Sequence, residues 1–314
     1  MWRAGRDLRA ARGPGRAGGT RRGMTMTDVT SPSVGFIGLG NMGGALAANV
    51  AATGVELVVH DAAGPGRAPA GTVFADDVAA VARAADVVVL SLPDGTVSEA
   101  VARQLAAADE RRVTQVVDTS TIGVTAAGRI TELLAARGIG YVDAPVSGGV
   151  AGARARTLTV MYAGTDEACA RVEPVLAALS DRRRRVGDRP GLAQALKLAN
   201  NFLAAVALAA TSEAVAFGTE AGLDMATMLD VLNTASGQNN ATAEKFPRQV
   251  VTGTYAAGFA NSLMAKDLRL YLGEVRERGG PTSLGTVTSS LWEAFAAAEP
   301  GVDFTRIYPF VRGS

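Results

Sequence analysis

The chain has one cysteine, Cys169, and one histidine, His60, in 314 residues. A single cysteine allows no intrachain disulfide, which points to a reducing compartment and a cytoplasmic location. One histidine and one cysteine cannot build a zinc site or a Cys–His catalytic pair, and no carboxylate cluster suggests another metal centre. His60 reads as a packing residue or a contact at a cofactor's edge. Net charge is scarce too, at +1. Much of the positive charge sits in the N-terminal tail, so the body is mildly acidic and nucleic-acid binding has no support. Hydrophobic residues make up 48% and charged residues 19%, which suits a globular protein. A charge-free apolar run long enough for a membrane span is also missing. The apolar segment 192–217 carries Gln194, Lys197, Asn200, Asn201 and Glu213 and reads as a buried helix, with no membrane partner.

Residues 1–32 are nearly without acid: Asp7 alone precedes Asp28, among seven arginines from Arg3 to Arg22. A transit peptide has that bias, but the first 23 residues hold no serine and no amphipathic pattern. The expectation is a disordered extension, with Met24 or Met26 as the start of the protein proper.

Glycine, by contrast, is abundant, and its placement is informative. Gly38, Gly40 and Gly43 form G-x-G-x-x-G between a short apolar run, Val34–Ile37, and a small-residue helical stretch from Gly44 to Thr53. A second apolar run, 56–60, ends in Asp61, about twenty residues on. Gly38 would allow a tight turn, Gly40 a close approach to a pyrophosphate, and Gly43 helix-on-strand packing. The free N–H groups of Asn41, Met42 and their neighbours would then face phosphate charge, with Leu39 in the same loop. Asp61 would take the ribose hydroxyls.

Beyond this loop, apolar runs at 87–92, 113–118, 141–142 and 157–162 alternate with helical stretches at 77–84, 97–108, 126–137 and 167–179. The pattern predicts a Rossmann-type, doubly wound parallel sheet over 33–190. Arg182 to Arg185 read as a solvated loop before a strand near Val186. From Gly191 onward helices dominate. One very long helix, 192–221, ends at Gly222 and joins the sheet domain to an all-helical domain over 191–314. Further helices are expected after Asp224, around Ala241, at 263–278 and at 281–298.

Three more islands carry chemistry. Asp118-Thr119-Ser120-Thr121 follows a predicted strand, where small hydroxyls could meet a cofactor amide, or simply cap a helix. Ser147-Gly148-Gly149 follows another, where a hydroxyl and backbone N–H groups could gather round a carboxylate. Lys197 and Asn201 share one face of the apolar helix. A partly desolvated lysine there would have the lowered pKa a proton shuttle needs, although a stem that packs and a head that reaches solvent is the plainer reading.

In this order, with L-P-D at Leu92-Pro93-Asp94, D-A-P-V-S-G-G at 143–149, K-L-A-N-N at 197–201 and M-A-K-D-L at 264–268, the chain resembles the β-hydroxyacid dehydrogenase family of 3-hydroxyisobutyrate dehydrogenase and tartronate semialdehyde reductase. The resemblance runs from about residue 34 to 300. It implies Lys197 as catalytic acid and base, Asn201 as substrate-orienting, and Ser147, Gly148 and Gly149 as the substrate-carboxylate site. It places Thr121 at the nicotinamide and Lys266 over the cofactor, and it makes the partner a small 3-hydroxy acid or semialdehyde.

The chain departs from the family at Ala193 and Arg156, where glycines are usual, and at Gln238-Asn239-Asn240. The last stretch is expected near the substrate and suggests one more polar than 3-hydroxyisobutyrate. Asp61 would repel a 2′-phosphate, so NAD is expected over NADP, with Arg67 as the one feature against it. Two alternatives stay open. An imine reductase-like enzyme is disfavoured by Lys197, and a non-catalytic dinucleotide-binding module by Lys197, Asn201 and Ser147 together. The long helix and its alanine-rich faces suggest a homodimer or homotetramer.

Overall fold

A computed structural model describes residues 33–313, so the tail and its proposed start codon lie outside the described residues. The sheet has nine strands: β1 (Val34–Ile37), β2 (Leu57–His60), β3 (Val73–Phe74), β4 (Val87–Leu90), β5 (Gln115–Asp118), β6 (Gly140–Asp143), β7 (Val146–Ser147), β8 (Thr159–Ala163) and β9 (Arg182–Gly187). The first six are parallel in the order β3-β2-β1-β4-β5-β6, and β8 then turns antiparallel to β6. The runs that the sequence presents as continuous apolar stretches, such as Val87–Leu90, are buried on both faces, as parallel strands must be. Helices α1 (Asn41–Ala51), α2 (Val78–Ala84), α3 (Gly95–Ala107), α4 (Val124–Ala135), α5 (Gly149–Arg154) and α6 (Asp166–Leu179) alternate with the strands. They bury two separate cores, one on each face of the sheet.

After β9 the chain is helical: α7 (Leu192–Glu220), α8 (Met225–Leu232), a π-helix over Ala241–Val250, α9 (Asn261–Glu277), α10 (Ser283–Ala298) and α11 (Ile307–Arg312). Helix α7 is long and apolar enough to cross a membrane. Here it is a spine, packed on β6, β8 and β9 near its start and on α9, α10 and α11 further along. Gly191 (φ 94°) and Gly222 (φ 98°) bound it in left-handed conformations that favour glycine. A third core forms around Trp292, Phe246 and Phe295.

Three local expectations change. Arg182–Arg185 are strand β9, paired in parallel with β8, and not a loop. At a sheet edge their side chains find partners: Arg183 donates to Glu173 at 2.9 Å and Arg185 pairs with Asp166 at 2.6 Å. Charge on an edge strand also discourages further pairing. The helix near Ala241 winds as a π-helix, and Pro247 inside it lacks the N–H an α-helix would use. Arg156, where the resemblance led to the expectation of a glycine, adopts a left-handed φ of 57°. Its guanidinium donates to the carbonyls of Ala177 and Ala178, at 2.8 and 2.6 Å, closing the end of α6.

Candidate active site

The glycine loop leaves the end of β1 at the point where strand order reverses between β1 and β4, the usual ligand crevice of such a sheet. Gly38 has φ 95°, and a Cβ there would strike the Ser91 carbonyl. A Cβ on Gly43 would run into the Gly38 carbonyl. A Cβ on Gly40 would meet no protein atom, and Gly40 borders the main cavity. The missing side chain there leaves room for a phosphate beside the uncapped start of α1. Asp61 is held ready: its carboxylate accepts the Leu39 N–H at 2.5 Å and the Ala63 N–H at 2.8 Å. The Leu39 side chain is buried, so the residue contributes backbone alone. His60 packs, with Nδ1 2.9 Å from the Ala75 carbonyl, and also borders the cavity.

That cavity, of about 1300 Å³, runs from Gly40–Gly43 and Asp61 past Leu92, Pro93 and Thr121 to Lys197 and Lys266. Lys197 is 7% exposed, and among the described residues no hydrogen bond holds its ammonium. Burial lowers its pKa to about 8, opposed by the attraction of Asp267 and assisted by the repulsion of Lys266. Lys266 closes the site from α9. Its Nζ donates to the Thr121 carbonyl at 2.7 Å and the Pro93 carbonyl at 3.2 Å. It also stands 3.2 Å from Asp267 Oδ1 but is aimed at the carbonyls, so that oxygen accepts no hydrogen bond.

The other predicted residues sit differently. Asn201 is buried and donates to Asp267 Oδ2 at 2.6 Å, while its own oxygen accepts from Asn200. It does not border the cavity, and it reaches the site through Asp267. Ser147, Gly148 and Gly149 are flanked by Val146 and Val150, which do border it. Gln238–Asn240 lie outside the lining. Asn239 caps the π-helix, accepting from Ala241 and Thr242 at 2.7 and 3.2 Å, so its polarity serves the fold and does not speak for a polar substrate.

Two contributors escaped the sequence reading. Asp267 stood in the M-A-K-D-L island without a role. Gln194 stood out only as a polar residue in an apolar helix, although it is fully buried and joins three segments.

Residues 33–187 match the family model for the NAD binding domain of 6-phosphogluconate dehydrogenase. Residues 191–311 match that for the NAD-binding segment of NADP-dependent 3-hydroxyisobutyrate dehydrogenase. The 3-hydroxyisobutyrate dehydrogenase of Pseudomonas aeruginosa is 36% identical, over 92% of this chain and 99% of that protein. The chain belongs to the 3-hydroxyisobutyrate dehydrogenase family. The dehydrogenase is also similar, at 33% identity over 84% of its length and 89% of the relative's, to 2-(hydroxymethyl)glutarate dehydrogenase of Eubacterium barkeri. A solved structure of Mycobacterium tuberculosis 3-hydroxyisobutyrate dehydrogenase with L-serine superposes with a TM-score of 0.84 at 32% identity, covering 90% of this chain and 99% of that one.

The dehydrogenase is therefore an oxidoreductase of CH–OH donors, with NAD as its cofactor. The glycine cradle, the open space at Gly40 and the oriented Asp61 carboxylate fit that dinucleotide. Beneath the cavity, Asp118 and Asp143 lie side by side on β5 and β6. Burial pushes both carboxyls up, Asp143 to about 7 against the backbone N–H groups of Gln194 and Gly191 that it accepts.

Proposed function

We propose that the enzyme oxidises a small 3-hydroxy acid with NAD, or reduces the matching semialdehyde, with Lys197 as general acid and base. The observation that carries this reading is the buried Lys197 ammonium, held by no hydrogen bond among the described residues, on the cavity that the glycine loop also borders. NAD, when bound, supplies the acceptor for hydride. Lys197, neutral above about pH 8, takes the proton of the substrate hydroxyl at Nζ. In reduction the charged Lys197 returns that proton and stabilises the forming alkoxide. Asn201 acts by holding Asp267 beside Lys197. Ser147 and the backbone of Gly148 and Gly149 receive the carboxylate at the rim. Thr121 and Lys266 border the nicotinamide end, and the Lys266 bonds keep the loops after β4 and β5 closed on it.

The molecules named for the relatives share one chemistry. 3-Hydroxyisobutyrate, 2-(hydroxymethyl)glutarate and L-serine each carry a primary alcohol, CH2OH, bonded to the carbon that bears the carboxylate. They differ in the other substituent on that carbon, so the proposed substrate class is 2-substituted 3-hydroxypropanoates.

We take the chain as two domains, 33–190 and 191–314, a division supported by family models that end at 187 and begin at 191. A homodimer or homotetramer in the cytoplasm is part of the same reading. Leu196, Leu203 and Phe217, on one face of α7, are 44%, 65% and 75% exposed, an apolar stripe suited to a second copy. Light scattering at micromolar concentration tests it, and a monomer ends it.

The deciding experiment follows NADH absorbance with 3-hydroxyisobutyrate, L-serine, glycerate and 2-(hydroxymethyl)glutarate. Turnover in the native enzyme and loss in Lys197→Ala support the reading. Equal turnover in the variant removes Lys197 from the mechanism.

A further inference from the structure

Helix α7 carries Lys197 in its second turn, yet its N-cap residue, Gly191, has no side chain with which to cap the start. What anchors that start comes from elsewhere. The Gln194 N–H donates to Asp143 Oδ2 at 2.9 Å, fastening the helix to the end of β6. The Gln194 side chain reaches the other way, into the loop after β5. Its Oε1 accepts the N–H groups of Ile122 at 2.9 Å and Gly123 at 3.2 Å, and its Nε2 donates to the Ser120 carbonyl at 2.9 Å. An amide offers one acceptor oxygen and two N–H donors, and here both ends are engaged with no access to solvent.

The loop gripped in this way is the one that carries Thr121 to the cavity. On its other side Lys266 holds the Thr121 carbonyl. The Ser120 hydroxyl accepts the Leu92 N–H at 2.8 Å, and Ser120 N–H donates to Asp118 at 2.9 Å. Gln194 and Lys197 are three apart on one helix, neighbours on one face with about 4.5 Å of rise between them. Any slide or rotation of α7 against the loop must therefore break buried bonds at Gln194.

We propose that Gln194 is a positioning residue that fixes Lys197 against the Thr121 loop, and so against the nicotinamide. The inference rests on the reading of Lys197 as the proton-transfer group. It assigns Gln194 no contact with substrate or cofactor. Gln194 keeps the donor–acceptor geometry, and a displacement of about 1 Å costs on the order of 10²-fold in rate.

The test compares Gln194→Leu with the native enzyme and with Leu134→Ala. Leu134 is a core residue of α4 outside the site, and its truncation lowers stability without touching the grip. Three quantities are read: kcat per intact site, the dissociation constant of NADH, and the deuterium isotope effect with substrate labelled at the hydroxyl carbon. In Gln194→Leu, kcat should fall by at least about tenfold with NADH affinity held within about threefold. The isotope effect should rise as hydride transfer becomes limiting. Leu134→Ala should lose melting temperature while keeping all three values. Native kcat and isotope effect in Gln194→Leu overturn the proposal, as does a loss matched by Leu134→Ala. Failure of the functional reading itself would be visible first in the native enzyme, as absence of turnover, or in Lys197→Ala, as its retention.

Discussion

The two halves of the molecule meet at one cavity and contribute to it in opposite ways. The sheet half brings backbone and absence: glycines without side chains, an uncapped helix start, and one carboxylate held by two N–H groups. The helical half brings charge: Lys197, Lys266 and Asp267, drawn together on α7 and α9. Shape and dipoles suffice to hold a dinucleotide. Moving a proton needs an ionisable group whose pKa has been displaced, and burial displaces it at a cost to the fold. The glycine loop thus relies on a carboxylate that N–H groups already hold, whereas the proposed proton-transfer group is buried against stability.

The comparison predicts effects of different kind and size. The largest is in turnover. Lys197→Ala should reduce kcat by about 10²–10⁴-fold, the usual worth of a general acid–base group, with NADH affinity retained. Parallel loss of both would erase the division of labour.

Stability should move the other way. Burial lowers Lys197 from 10.5 to about 8, worth about 3 kcal/mol at about 1.4 kcal/mol per tenfold change in proton affinity. The unfolded chain keeps its proton between those values, so the penalty is complete below pH 8, shrinks as pH rises, and is gone above 10.5. Lys197→Met should be more stable than the native enzyme at pH 7 by up to about 3 kcal/mol, and the gain should fade toward pH 10.5 in denaturant titrations. A pH-independent difference breaks the account. The same titration should make kcat/KM for oxidation rise with pH to a plateau above about 8.

On the cofactor side, Gly43→Ala places a Cβ against the Gly38 carbonyl and Ser91 side chain. The KM for NAD should rise by at least about tenfold, about 1.4 kcal/mol, with kcat little changed. A fall in kcat alone would show that the halves do not divide the task. The smallest effect concerns selectivity. Asp61→Ser removes the charge that repels a 2′-phosphate and weakens the hold on Leu39. The ratio of kcat/KM for NADP to that for NAD should rise, on the order of tenfold; an unchanged ratio removes Asp61 from cofactor choice.

What the amino-acid sequence determined by itself is whatever short-range chemistry controls. Strand β1 was legible to the residue at Val34–Ile37, because a parallel strand buried on both faces must be continuously apolar. The glycine loop was legible because its turn excludes side chains, and α7 because Gly191 and Gly222 punctuate a long apolar run. Lys197 drew notice because an ammonium in such a run is costly. Only the tertiary structure decided the rest. Arg182–Arg185 became a strand when β8 offered an edge. Asn201 turned to Asp267, 66 positions away, and not to the cavity. Gln194 acquired its part from partners 51 to 74 positions distant. Residues that distant become neighbours only once the sheet and the helices have packed. The worth of a buried polar group depends on those neighbours, and nothing in the adjoining residues encodes it.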